Sequence, residues 1–286
     1  MRLLLAFAAL LLALPAYAVE IEWVTVGDPG NACDPQPEGC FGSVDYVYRI
    51  SKYEVTNALY AEFLNAVAAT DTYSLYHTKM AGNMYGGITQ TGESGSYTYS
   101  TMAGREDRPV NNVSFYDNLR FANWLHNGQP TGAQDSTTTE DGAYTITTQG
   151  IANNSITRNA DATVFLTSED EWYKAAYYDA SMLGYNPYPF ADGFRGGTCE
   201  TPPGTTSHSA NCYWAVGGLT DVGAYTGSPS EYATFDQGGN IFERNEAIVD
   251  FRRGLRGGSF DILPVWHAAF FRGYTYPNNE DVAIGF

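Results

Sequence analysis

Two glycine pairs, Gly238-Gly239 and Gly257-Gly258, bracket most of the stretch FDQGGNIFERNEAIVDFRRGLRGGSF from Phe235 to Phe260. They constrain this chain more than any other feature. Glycine takes positive φ readily and lets a backbone pass close to other groups. A Gly-Gly-Asn turn therefore opens the stretch, an acidic and apolar segment follows, and Arg-Gly-Leu-Arg-Gly-Gly-Ser-Phe closes it. Asp236 and Glu243 flank the first bend. Carboxylates mixed with inward-turned carbonyls suit a hard cation such as calcium. Residue types alone favour a Gly-rich connection between two short strands, with both acids in solvent.

The chain starts Met1-Arg2, then an apolar run from Leu3 to Leu14, then Pro15-Ala16-Tyr17-Ala18. That order reads as a secretory signal peptide cleaved after Ala18, too short to span a membrane stably. The expected mature protein, residues 19–286, is secreted or periplasmic, with no membrane span, and forms one domain. A net charge of −17 argues against nucleic acid or anionic lipid as partner and fits calcium or simple solubility. The four cysteines fall into two local pairs, Cys33 with Cys40 and Cys199 with Cys212. In an exported chain these read first as disulfides, each stapling a loop that contains proline and glycine. They lack CxxC spacing and clustered histidines, so a zinc site is not expected.

Regular elements are few. Strands are expected at Ile21–Val26 and Val44–Ser51. A helix follows from about Ala58 to Ala69, capped by Thr56 or Asn57, with Leu59, Tyr60, Phe63, Leu64 and Val67 on one apolar face. Residues 71–108 read as a long excursion of loops with a hairpin. Ser114 and Asp117 approximate a capping box for a second helix that turns Leu119, Ala122, Trp124 and Leu125 inward. A strand is expected at Ala143–Thr147. Ser168 with Glu171 caps a third helix running through Trp172, Ala175 and Ala176 towards Tyr178. Glu169 and Glu171 read as helix-start chemistry. From Asp179 onward only short strands and turns are expected. The class is an irregular α+β domain.

Five segments stand in a known order: Glu54-Val55-Thr56-Asn57-x-x-Tyr60-x-x-Phe63, Pro109-Val110-x-x-Val113-Ser114-Phe115-x-Asp117, Glu169-x-Glu171-Trp172, Gly239-Asn240-Ile241-Phe242-Glu243 and Arg256-Gly257-Gly258-Ser259-Phe260. Together they resemble the sulfatase-modifying-factor, or formylglycine-generating-enzyme-like, family over roughly residues 22–286. The resemblance implies a variant of the C-type-lectin-like fold, low in regular secondary structure. It implies structural calcium held by Asp236 and Glu243 side chains and by the Gly239 and Ile241 carbonyls. It implies a weaker second calcium position at Asn211 and the carbonyl of Cys212. The family's enzymes oxidise a cysteine of a sulfatase peptide to formylglycine with oxygen and a copper ion held by two cysteines.

Here the chain departs from its relatives. The copper-cysteine positions, counted from Ser259, fall on Ile262 and His267. Thiolates are the soft donors that hold Cu(I), and isoleucine has no electron pair to give. The motif tryptophans are replaced by Phe242 and Arg244. Copper is therefore not expected, and Ser259 has no histidine with a visible claim to activate it. No G-x-S-x-G elbow, His-Glu-x-x-His or phosphate loop is present. The expected protein is a non-catalytic binding or scaffold module, its groove near Phe242, Ser259, Trp266 and His267 taking a peptide or saccharide. The alternative is a formylglycine-generating-type oxidoreductase with an altered metal site.

Overall fold

The structure, a computed structural model, describes residues 18–82, 84–191 and 196–286. The leader reading falls on residues 1–18 and so lies, apart from Ala18, outside the described residues. No helix among those described is long and apolar enough to cross a membrane.

Strand β1 (Trp23–Val26) pairs antiparallel with β2 (Tyr48–Ser51), a shorter ladder than the alternation predicts. Helix α1 (Asn57–Val67) starts where Thr56 accepts a hydrogen bond from the Leu59 amide; of the two expected caps, threonine is the one used. The excursion after it contains the expected hairpin, Ile88–Thr91 against Thr98–Thr101, and a four-residue helical turn, Lys79–Gly82, that lacks a sequence signal. Helix α2 (Phe115–His126) opens with both halves of the Ser114–Asp117 capping box. Helix α3 (Glu169–Tyr177) opens with the Ser168–Glu171 box. Tyr60, Phe63, Phe121 and Trp124 interlock in the main core between α1 and α2, with ring centroids 5.3–6.0 Å apart.

The expected strand at Ala143–Thr147 does not form. Ala143 and Tyr144 are buried as the pattern requires, but Asn123 supplies the partners a neighbouring strand would give. Its side chain accepts from the Tyr144 amide at 2.7 Å and donates to the Tyr144 carbonyl at 2.9 Å. Thr147 then caps a short helix, Thr148–Ala152, which has no apolar face to announce it. Burial, rather than sheet pairing, produced the alternation.

The C-terminal third builds a four-stranded sheet. Strand β3 (Phe242–Val249) turns back antiparallel into β4 (Arg252–Arg256); β5 (Gly273–Thr275) flanks β4, and β6 (Ile284–Gly285) runs parallel to β3. Glu169 does more than favour a helix start. It accepts from Arg256 at 2.7 and 3.0 Å and from Arg272 at 2.5 and 2.8 Å. The first residues of α3 thereby hold the end of β4 in place, immediately before Gly257-Gly258. Both expected disulfides are formed, Cys33–Cys40 and Cys199–Cys212. Such bonds persist in an oxidising, extracytoplasmic compartment.

Candidate functional site

The two glycine pairs meet. Gly239 has φ +98°, and a Cβ there would overlap the Asn211 carbonyl and lie 3.2 Å from His267 Cε1. Gly258 has φ +83°, and a Cβ there would lie 2.5 Å from His267 Cδ2 and 3.2 Å from Ile262 Cδ1. The Gly239 amide donates to the Gly257 carbonyl at 2.9 Å. Only glycine satisfies both the sign of φ and these close approaches. The turn before β3 and the exit of β4 are thus pressed onto one imidazole.

That imidazole is fully buried, on a single 3₁₀ turn, Pro264–His267. Neither ring nitrogen has a partner. Burial pushes its pKa down to about 3, so it is neutral at ordinary pH. Ile262 approaches Gly258 as His267 does. Ser259 is also fully buried, and its hydroxyl donates to Asp261 Oδ1 at 2.6 Å. All four cysteines are in disulfides. An isoleucine and one enclosed imidazole do not fit a Cu(I) ion, which takes two soft donors in the related enzymes. Of the expected pocket residues, Ser259 and His267 are sealed, Phe242 is half-buried and Trp266 is 42 % exposed.

The acids are not in solvent: Asp236 is buried and Glu243 half-buried. The Asp236 carboxylate accepts from the Gly223 amide at 2.5 Å, and Glu243 Oε2 accepts from Trp172 Nε1 at 2.8 Å. Burial pushes Asp236 up to about 6 and Glu243 up to about 8. Glu54 joins them; burial first, then the neighbouring Asp236 and Glu243, holds its pKa well above the carboxylate range. Glu54 Oε1 and Glu243 Oε1 have no partner. A buried oxygen without a donor costs about 1–3 kcal/mol, which a bound cation would relieve. Among the described residues no three His, Cys, Asp or Glu side chains are placed to hold a metal ion, so a cation here needs backbone oxygens as well. The Gly239 and Ile241 carbonyls are in the right stretch to supply them.

Asn240 links the parts. Its side chain donates to Glu54 Oε2 at 2.8 Å and accepts from Asn211 Nδ2 and the Thr220 amide, each at 3.0 Å. Asn211, the weaker calcium candidate, is therefore beside the stronger set. Its Oδ1 is free, but its Nδ2 is committed to Gly218 O and Asn240, and the Cys212 carbonyl already accepts from Ala215. Sequence reasoning missed Glu54 and the tethers Asn240, Trp172 and Asp261. Glu54, an acid directly before an apolar helix entry, was the one signal on view.

Around the corner is an aromatic face. The Trp266 and Phe271 rings meet edge-on at 4.5 Å, with Phe242 6.2 Å beyond. Hydrogen bonds from the Tyr213 amide to the Ile262 carbonyl and from the Trp214 amide to the Phe260 carbonyl, both 2.8 Å, tie two further exposed aromatics to the segment that leads to Trp266.

An irregular α+β chain with two local disulfides and these glycine turns is a disulfide-bearing protein of the formylglycine-generating-enzyme-like fold. The chain belongs to the family of sulfatase-modifying factor enzyme 1-like domains, whose profile matches residues 43–286. Solved structures agree on the fold. Treponema denticola variable protein 1 is 17% identical with TM-score 0.55, covering 96% of each chain. The crystal structure of CarF is 18% identical with TM-score 0.53, covering 94% of this chain and 97% of that one. PvdO from Pseudomonas aeruginosa is also similar, at 18% identity and TM-score 0.47, covering 93% of this chain and 90% of its own. No match is found among curated proteins.

Proposed function

We propose that this protein is an exported, non-catalytic binding module on the sulfatase-modifying-factor scaffold. One observation carries the reading: at the family's copper positions stand Ile262 and His267, packed on Gly258 with no donor pair between them. The Trp266, Phe271, Trp214 and Tyr213 face takes a peptide or saccharide, because exposed aromatic rings offer area at small entropic cost. Calcium bound by Asp236 and Glu243 with the Gly239 and Ile241 carbonyls stabilises the turn beneath that face. The test is oxygen uptake by copper-treated protein with a cysteine peptide carrying a sulfatase motif, beside peptide and glycan arrays probed with wild type and Trp266→Ala. The reading expects no turnover and array signals that Trp266→Ala removes. Copper-dependent turnover would overturn it.

A further inference from the structure

Away from the aromatic face, β1, β2, α2 and the segment before α3 enclose a cavity of about 110 Å³. Its wall is mostly apolar, with Ile50, Phe121, Leu125, Phe165 and Phe235 among the contributors. For scale, a cavity of about 150 Å³ lined by such residues takes up benzene. Besides Glu54 Oε1 and Glu243 Oε1, Arg244 and Asn118 line it with buried polar atoms that have no partner. Arg244 is 1% exposed, and its Nε and Nη1 have no partner, while Nη2 donates to the Asn279 carbonyl. Asn118 is fully buried, and both atoms of its amide are unpaired.

The charged groups on the wall are Glu54, Glu171 and Glu243 with Arg49 and Arg244. Each glutamate there already has a donor: Glu171 is gripped by Arg158 at 2.7 and 3.0 Å, Glu243 is held by Trp172, and Glu54 by Asn240. Arg244 forms no ion pair among the described residues. Asp117, Glu280 and Asp281 act on it only through space. A buried cation without a hydrogen-bonded counter-ion is strongly destabilising. Arginine also stands where the family motif has tryptophan, so the guanidinium is a departure of this chain. Arg49, exposed at the mouth with its guanidinium over Trp23, adds a positive charge at the entrance.

We propose that this cavity binds a small monocarboxylate with a short aliphatic chain or single ring, its carboxylate taken by Arg244 and Asn118 and its body by the apolar wall. The site does not depend on the reading of the aromatic face. Pentanoate and benzoate are the probes, with pentanol and pentylamine as the neutral and cationic counterparts, followed by calorimetry and by the emission of Trp23 and Trp172, which both line the cavity. Saturable carboxylate binding is expected, with the alcohol and the amine at least about tenfold weaker. Arg244→Met should cost the carboxylate at least about tenfold and leave the alcohol unchanged. Should that variant not fold, Leu125→Trp, a half-buried helix position on the wall, should fill the space and abolish binding. The proposal is overturned if neither carboxylate binds saturably, if amine or alcohol binds equally well, or if Arg244→Met, when folded, or Leu125→Trp leaves the affinity unchanged.

Discussion

On the His267 side of the Gly239 turn, an imidazole and an isoleucine press against glycine backbone, and burial keeps the ring uncharged. On the Glu54 side, Glu54 feels the charges of Asp236 and Glu243, and one oxygen each of Glu54 and Glu243 has no hydrogen-bond donor. The first corner is closed by packing; the second keeps two buried carboxylate oxygens without a donor. The comparison separates a corner closed by side chains from one that keeps carboxylate oxygens unpaired.

The contrast can be broken most forcefully at Gly258. An alanine there must take φ +83° and put its Cβ 2.5 Å from His267 Cδ2. Left-handed backbone costs about 1–2 kcal/mol and overpacking about 1–3 kcal/mol, so a loss of about 3 kcal/mol is expected in a urea titration. Adding His267→Ala should recover the overpacking part and leave the backbone part. No recovery would mean that the imbalance lies elsewhere. The next effect belongs to the acids. Calcium at a hundredfold excess over its dissociation constant should stabilise by about 2.7 kcal/mol, read as a rise in melting temperature that Glu243→Gln removes. A rise with copper and none with calcium would reverse the assignment of the two corners.

The corners should also answer pH in opposite senses. His267 has its folded pKa depressed to about 3, so between about pH 6.5 and 3 the unfolded chain binds the extra proton. Its contribution is present above 6.5 and is lost as pH falls. Asp236 and Glu243 are raised to about 6 and 8, so without a cation the folded chain binds the extra protons and stability is lost as pH rises through that window. His267→Leu should therefore flatten the acid limb, with the difference from wild type changing by up to about 1.4 kcal/mol per pH unit below 6.5. Parallel curves for the two proteins would show that the ring is solvated.

Much of this was legible before the structure, for a physical reason. Helix starts are local: Ser114 with Asp117 and Ser168 with Glu171 satisfy backbone donors three residues away, so spacing alone locates them. The disulfide pairs, each within one loop, were equally local. The strand at Ala143–Thr147 was misread because Asn123 reaches it from another element, and no window around Tyr144 contains that partner. The site shows the same division. Asp236 and Glu243 could be paired along the sequence, whereas Glu54 joins them through Asn240 across 186 positions. That His267 would be entombed rather than lining a groove depended on Gly239 and Gly258 closing over it, the second of them just after Arg256, which Glu169 holds. Local chemistry is written in spacing; enclosure is decided by elements far apart.

The smallest expected effect is at Ser259, and it tests whether the packed corner is inert. Its hydroxyl donates to Asp261, a half-buried carboxylate, and a hydrogen bond to a charged group in that setting contributes about 1 kcal/mol once solvent screening is allowed for. Ser259→Ala should lower stability by that amount, with no change in calcium response or in peptide and glycan array signals. A catalytic serine would behave differently, since its removal would abolish turnover and leave stability almost untouched. A contact serine would lose array signal at constant stability. Either outcome would place working chemistry on the His267 side of the turn, and the division between a filled corner and an open one would no longer hold.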